Sequence, residues 1–171
     1  MSFRIGDKVV YPNHGVATIE EIRDSSLLGQ RMTLLCLRVA SNDTKVMVPR
    51  EKTDEVGIRK LIPPKDVRKL LTALRSHDVD PAEDWKGRYQ ANADLMRTGE
   101  IWEVAKVLKG LAVLSIRKEL SDRERRMMEK AHYLVVSEIA EVSGLEEVEI
   151  SKRVERALTT LKDKVAGNGE R

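Results

Sequence analysis

The chain has almost no cysteine. Cys36 is the only one in 171 residues, so no intramolecular disulfide can form. Aromatics are scarce at 4%, with one Phe, two Trp and three Tyr. The core must therefore be aliphatic, and each aromatic carries unusual information. No apolar run reaches the roughly 18 residues a membrane helix needs. No signal-peptide pattern opens the sequence. The expectation is a soluble, cytoplasmic protein with no membrane partner.

Catalytic signatures are missing as well. The three histidines, His14, His77 and His132, lie far apart, and the single thiol is distant from all of them. There is no HExxH, CxxC, GxSxG or glycine-rich phosphate loop. The carboxylates are interleaved with Lys and Arg, as on solvated helix faces. The reading is therefore of a non-enzyme, with no catalytic residue, metal, cofactor or small-molecule substrate.

What is present is charge and helical periodicity. Charged residues make up 35% and hydrophobic ones 41%, with a net charge of +3 and a pI near 9.0. This composition is globular and permits nucleic-acid binding without requiring it. The first 58 residues hold 8 of the 31 Lys and Arg and 8 of the 28 Asp and Glu. The whole positive excess thus lies beyond them.

Residues 1–60 read as β. Apolar stretches at 9–11, 16–22, 32–39 and 46–48 are separated by the turn signals Pro12-Asn13-His14-Gly15, Leu28-Gly29-Gln30 and Ser41-Asn42-Asp43. Four or five short strands at this spacing suit a small SH3- or Tudor-like antiparallel barrel or half-barrel. Between Leu34, Leu35 and Leu37, Cys36 reads as a buried apolar thiol.

Residues 61–166 read as an all-α bundle of about five helices. Pro63-Pro64 opens the first helix, with Val67, Leu70, Leu71 and Leu74 on one face. After the loop signal at 77–81, a second covers roughly 82–98 and stops at Gly99. A third spans about 100–117, with Ile101, Val104, Ala105, Leu108, Leu111 and Ala112 inward. Ser121-Asp122-Arg123-Glu124 is a capping-box sequence and starts a fourth, carrying Met128, Ala131, Leu134, Val135 and Ile139. Ser143-Gly144 ends it. A fifth, with Val148, Val154, Leu158 and Leu161, runs to about 164, and 167–171 form a flexible tail. Strands followed by helices make an α+β chain of two domains.

Two features bear on function. Trp85-Lys86-Gly87-Arg88-Tyr89 sits near a helix start, where Trp85, Tyr89 and Met96 share a face and Arg88 lies beside it. These aromatics can pack into the bundle, or the indole can wedge at a strained base step while cations neutralise phosphates. A second cluster, Arg123, Arg125, Arg126 and Lys130, is either a solvated face or a widening of that patch. In Val46-Met47-Val48-Pro49, proline belongs at a strand end or sheet edge. That strand either is ordinary core or offers Met47 to another β edge.

The residues also resemble a family. The opening Phe3-Arg4-Ile5-Gly6-Asp7-Lys8-Val9-Val10-Tyr11-Pro12-Asn13-His14-Gly15-Val16 is similar to that of CarD/CdnL-type bacterial transcription regulators. Their N-terminal module is shared with the RNA-polymerase-interacting domain of transcription-repair coupling factors. Val46–Pro49, Val56-Gly57-Ile58-Arg59, the Trp85 segment and Leu120 to Met128 follow in the family's order. The resemblance implies that the β module docks on the β subunit of RNA polymerase through Met47 and Pro49. It implies that the helical domain contacts promoter DNA at the upstream edge of the transcription bubble. Trp85 would wedge into the minor groove and stabilise the open complex, with Lys86, Arg88, Tyr89, Arg125 and Arg126 in the DNA contact. Gly87 and Gln90 depart from the family's basic residues there, and Met47 replaces an arginine of some relatives. The alternative is a protein-interaction adaptor with a β docking module and a purely structural bundle.

Overall fold

Two residues reverse the longest hairpin of the β region. Leu28 and Gly29 both have positive φ, 51° and 79°, and join β2 (Gly15–Leu27) to β3 (Gln30–Val39). Two left-handed residues in a two-residue loop suit the right-handed twist of the flanking strands. The structure is a computed structural model that describes residues 2–78 and 85–168, the side chains of 85–87 excepted.

Both hairpin strands run further toward the tip than the apolar pattern predicts. Pairing continues through Asp24, Ser25 and Ser26, opposite Thr33, Met32 and Arg31. Thr33 Oγ1 donates to Asp24 Oδ1 across this pair at 2.9 Å. These polar residues leave no hydrophobic alternation to mark the strand.

β1 (Lys8–Tyr11), β4 (Lys45–Pro49) and the two-residue β5 (Arg59–Lys60) complete one antiparallel sheet of order β4-β3-β2-β1-β5. β5 is too short to show periodicity. It forms because the short helix α1 (Thr53–Val56) ends at Gly57, whose φ of 84° turns the chain back onto β1. Phe3, Val9, Ala17, Ile19, Leu35, Leu37, Val39, Val48 and Ile58 form the core of this unit. Leu35 and Leu37 point inward, so Cys36 between them faces the other way. It is half-buried, in register with Glu21 and Met47, and not the buried thiol expected from its leucine neighbours.

The chain divides into two compact units, Met1–Leu61 and Ile62–Arg171. In the second, α2 (Pro64–Arg75), α3 (Trp85–Arg97), α4 (Ile101–Arg117), α5 (Asp122–Ser143) and α6 (Glu147–Asn168) form the bundle. The fold is thus α+β in class, with a sheet unit followed by a helical one. α4 is central: besides the expected stripe, Val107, Val113 and Leu114 are buried on it. A helix apolar nearly all round must have neighbours on most sides. Met96 of α3 is also buried in this core.

Two expectations are corrected here. Val148 is 68% exposed, since the buried stripe of α6 begins at Ile150. α6 continues through Asn168, past the expected end near 164 and into the expected tail; residues 169–171 lie outside the described residues.

The α4–α5 turn is closed by a buried carboxylate. Glu124 is 6% exposed, yet its Oε2 accepts from the Ser121 backbone N–H at 2.8 Å and from Lys118 Nζ at 2.9 Å. Ser121 Oγ accepts in return from the Glu124 N–H at 3.3 Å, which completes the capping box. Burial pushes the Glu124 carboxyl up, but the bonds from Lys118 and Ser121 outweigh it and hold it below the usual carboxylate range. A folded value below the unfolded one means the contribution is intact above about pH 4.3 and fades as pH falls through the folded value. Urea midpoints taken from pH 7 down to about pH 3 should therefore fall more steeply for the native chain than for Glu124→Gln. Parallel slopes would show that no charged carboxylate is being held. Ser121→Ala should cost about 1 kcal/mol at neutral pH.

Candidate nucleic-acid interface

Trp85 opens α3, four residues before Tyr89 on the same helical face. The side chains of Trp85 and Lys86 lie outside the described residues, and with them the expected exposure of the indole. Arg88 and Tyr89 are half-buried. The second tryptophan, Trp102, packs partly buried against the helical core.

The start of α5 comes to meet this turn. The Arg123 guanidinium carbon lies 4.2 Å from the centroid of the Tyr89 ring. A cation over an aromatic face at this range is worth about 0.5–1 kcal/mol at an exposed site. The sequence pointed to a basic cluster at 123–130 but gave no sign of which member touches α3. The pair spans 34 positions, and no periodicity connects them.

Helical geometry sorts the cluster. Arg123, Arg126 and Lys130 stand at i, i+3 and i+7 and share one side of α5, all exposed. Arg125 leaves the helix about 160° round from Arg123, on the far flank of the buried stripe that contains Glu124, Ala131 and Val135. Its guanidinium lies 3.6 Å from Asp122 and 4.0 Å from Glu119, and it donates to the Leu120 carbonyl at 3.4 Å. Such surface pairs are weak and screened by salt. Of the sequence-chosen cations, then, Arg126 is on the Tyr89 side and Arg125 is not.

A second anchor precedes Trp85 in the sequence. Lys109 of α4 is only 5% exposed, and its ammonium donates to Ser76 Oγ at 3.1 Å and to Asp78 Oδ1. Ser76 Oγ also donates to Asp78 at 3.0 Å. The Lys109 ammonium and Ser76 hold the Asp78 carboxyl below its usual range, Lys109 first. These are the last described residues before the segment that leads to Trp85. Sequence reasoning missed Lys109, because a lysine among charged and apolar neighbours on a helix reads as surface.

In the sheet unit, Met47 and Pro49 lie on β4, an edge strand bonded, among the described residues, only to β3. Met47 is 55% exposed, and Arg23 Nη2 donates to its sulfur at 2.9 Å. Across the same face, Arg23, Leu34 and Pro49 are in register. A polarizable thioether beside a guanidinium on an open edge can meet both apolar and acidic groups.

Among the described residues, no three His, Cys, Asp or Glu side chains are placed to hold a metal ion. No helix among them is long and apolar enough to cross a membrane. His14 stacks on Tyr11 at 4.8 Å, and His132 lies in an open groove between α5 and α6.

Comparison with known proteins covers both units. A family model described as CarD, C-terminal domain, matches residues 69–155, and one described as CarD-like/TRCF RID domain matches residues 3–62. "Putative transcription factor YdeB" of Bacillus subtilis (strain 168) is 30% identical over 148 residues, 86% of this chain and 97% of that protein. The solution structure of the 72-residue N-terminal domain of Myxococcus xanthus CarD is 37% identical over 34% of this chain and 79% of its own, with a TM-score of 0.31. CdnLNt from the same organism is 39% identical over 36% of this chain and 87% of its own, with a TM-score of 0.32.

The Lys109 anchor makes an asymmetric prediction for urea denaturation. Asp78→Ala leaves a buried ammonium without its carboxylate and should cost about 1–3 kcal/mol. Lys109→Met fills the same space without charge and should cost less. The reverse order would mean that the buried ammonium itself contributes net stability.

Proposed function

This chain belongs to the CarD family of transcription regulators, and on that premise we propose that it holds RNA polymerase and promoter DNA together. The N-terminal sheet docks on the polymerase β subunit along β4, through Met47 and Pro49. The helical unit presents Trp85 to the upstream edge of the transcription bubble. There the indole wedges into the minor groove and stabilises the open complex. Lys86, Arg88, Tyr89 and Arg126 supply the surrounding contacts, and Arg125, on the opposite flank of α5, reaches a more distant phosphate.

One observation carries this reading most directly. The turn bearing Trp85 lies between two anchors, Asp78 held by Lys109 and Tyr89 covered by Arg123. A wedge mounted between held neighbours loses less conformational freedom when it inserts. The match of residues 3–62 to the CarD-like/TRCF RID domain supports the polymerase contact, as does the exposed Met47 on an open edge.

The energetics are modest and sufficient. A ligand shifts a two-state equilibrium only by its differential affinity for the two states. If the indole and its cations favour open DNA by about 1–2 kcal/mol, the open population changes roughly 5- to 30-fold. Weak DNA affinity suffices, because tethering to polymerase raises the local concentration. Phosphate contacts orient the protein without reading sequence, so selectivity would follow promoter deformability.

Open-complex lifetime with the cognate polymerase tests the wedge. Trp85→Ala should abolish the stabilisation while leaving circular dichroism and β-subunit capture unchanged. A variant that unfolds would instead put the indole in the core. Met47→Ala and Pro49→Ala should weaken capture of the β subunit at constant helix content, and undiminished capture would remove the docking assignment. Loss of capture with an inert Trp85→Ala would leave an adaptor with a structural bundle.

A further inference from the structure

Arg123 stands outside the contact residues assigned above, and its surroundings differ from those of the other arginines nearby. Arg125 faces Asp122 and Glu119, Arg97 is paired with Asp94, and Arg153 with Glu149. Arg123 is exposed and, among the described residues, has no carboxylate partner; what it has is the Tyr89 ring. A guanidinium carries its N–H donors in its own plane. A ring carries no net charge, and one ring face cannot occupy all five guanidinium N–H donors. The ring therefore aims the cation without neutralising it.

The sequence around the pair fits the same use. α3 offers neutral Gly87 and Gln90 on either side of Arg88-Tyr89, so its own positive charge here is thin. Arg123 brings a cation across from α5, and Arg126 and Lys130 continue the line along the same helix face.

We propose that Arg123 is a DNA-phosphate ligand, pre-aimed by Tyr89, that joins the α5 stripe to the Trp85 turn. This rests on the promoter-binding reading above and adds a residue to it. The contact is sequence-independent, since it reaches phosphate and not base edges. Tyr89 then has a positioning part besides its own contact: its ring restrains the guanidinium, and its loss leaves the charge in place but less well directed.

The test measures affinity of the whole chain for the polymerase–promoter open complex across a salt series. Each phosphate neutralised contributes about 0.7–0.9 to the slope of log affinity against log salt. Arg123→Gln should lower the slope by about that amount, and Arg123→Glu should lower it further. Arg123→Lys should keep the slope, and Tyr89→Leu should weaken binding with the slope retained. Tyr89→Leu should cost less affinity in the Arg123→Gln background than in the native chain, because only the ring's own DNA contact is then left to lose. Unchanged slopes in both Arg123→Gln and Arg123→Glu would overturn the proposal, whether or not the variants melt earlier, because a packing role moves stability and not counterion number. Trp85→Ala in the same series separates the two readings. If it abolishes open-complex stabilisation while Arg123→Gln leaves the slope untouched, only the Arg123 assignment fails. If Trp85→Ala has no effect, both fail together.

Discussion

A carboxylate enclosed in a helix bundle stays charged only if its surroundings favour the charge, and Glu124 has two donors, the Ser121 amide and the Lys118 ammonium, together with the dipole of the helix whose first turn it occupies. This constraint fixes where α4 ends and where α5 begins. Once the first turn of α5 is fixed, so are the directions of the residues on either side of Glu124. Arg123 falls toward α3 and meets Tyr89, and Arg125 falls the other way among its own acids. The cationic side of the helical unit is thus a by-product of how one buried acid is satisfied.

The buried ammonium of Lys109 plays the matching part at the other end of the Trp85 segment. Neither anchor is strong. The Tyr89–Arg123 contact is a partly exposed cation–π pair, and Asp78 itself faces solvent. Restraint of this order suits the proposed role, a modest shift in a promoter equilibrium. A fully immobilised turn could not adjust to a distorted duplex, and an unrestrained one would lose more entropy on insertion.

Much of this was legible from residues alone, for identifiable reasons. The capping box is a four-residue local code, so Ser121 and Glu124 announced the start of α5. Gly99 and Gly144 ended helices at positive φ, where a side chain is disfavoured. The inward face of α4 followed from 3.6-residue periodicity. Other features are invisible to local patterns. The hairpin beyond Arg23 is paired but wet on both faces, so it has no apolar alternation to read. Cys36 was misplaced because its leucine neighbours masked the two-residue alternation of a strand. Val148 was misplaced because its apolar side chain was counted with the stripe although it stands two residues before Ile150, about 160° round the helix from it. The two anchors of the Trp85 segment join residues 31 or more positions apart, and only the folded chain brings them together.

The enclosure of Lys109 has a chemical consequence. Its amine is shielded by the Ser76–Asp78 segment, whereas most lysines of this chain are bathed in water. An acylating reagent would modify those lysines first and reach Nζ of Lys109 only when that segment swings away. The rate at which this one amine is acylated is therefore an intrinsic clock for opening of the Ser76–Asp78 segment, readable by mass spectrometry as one added mass on one peptide.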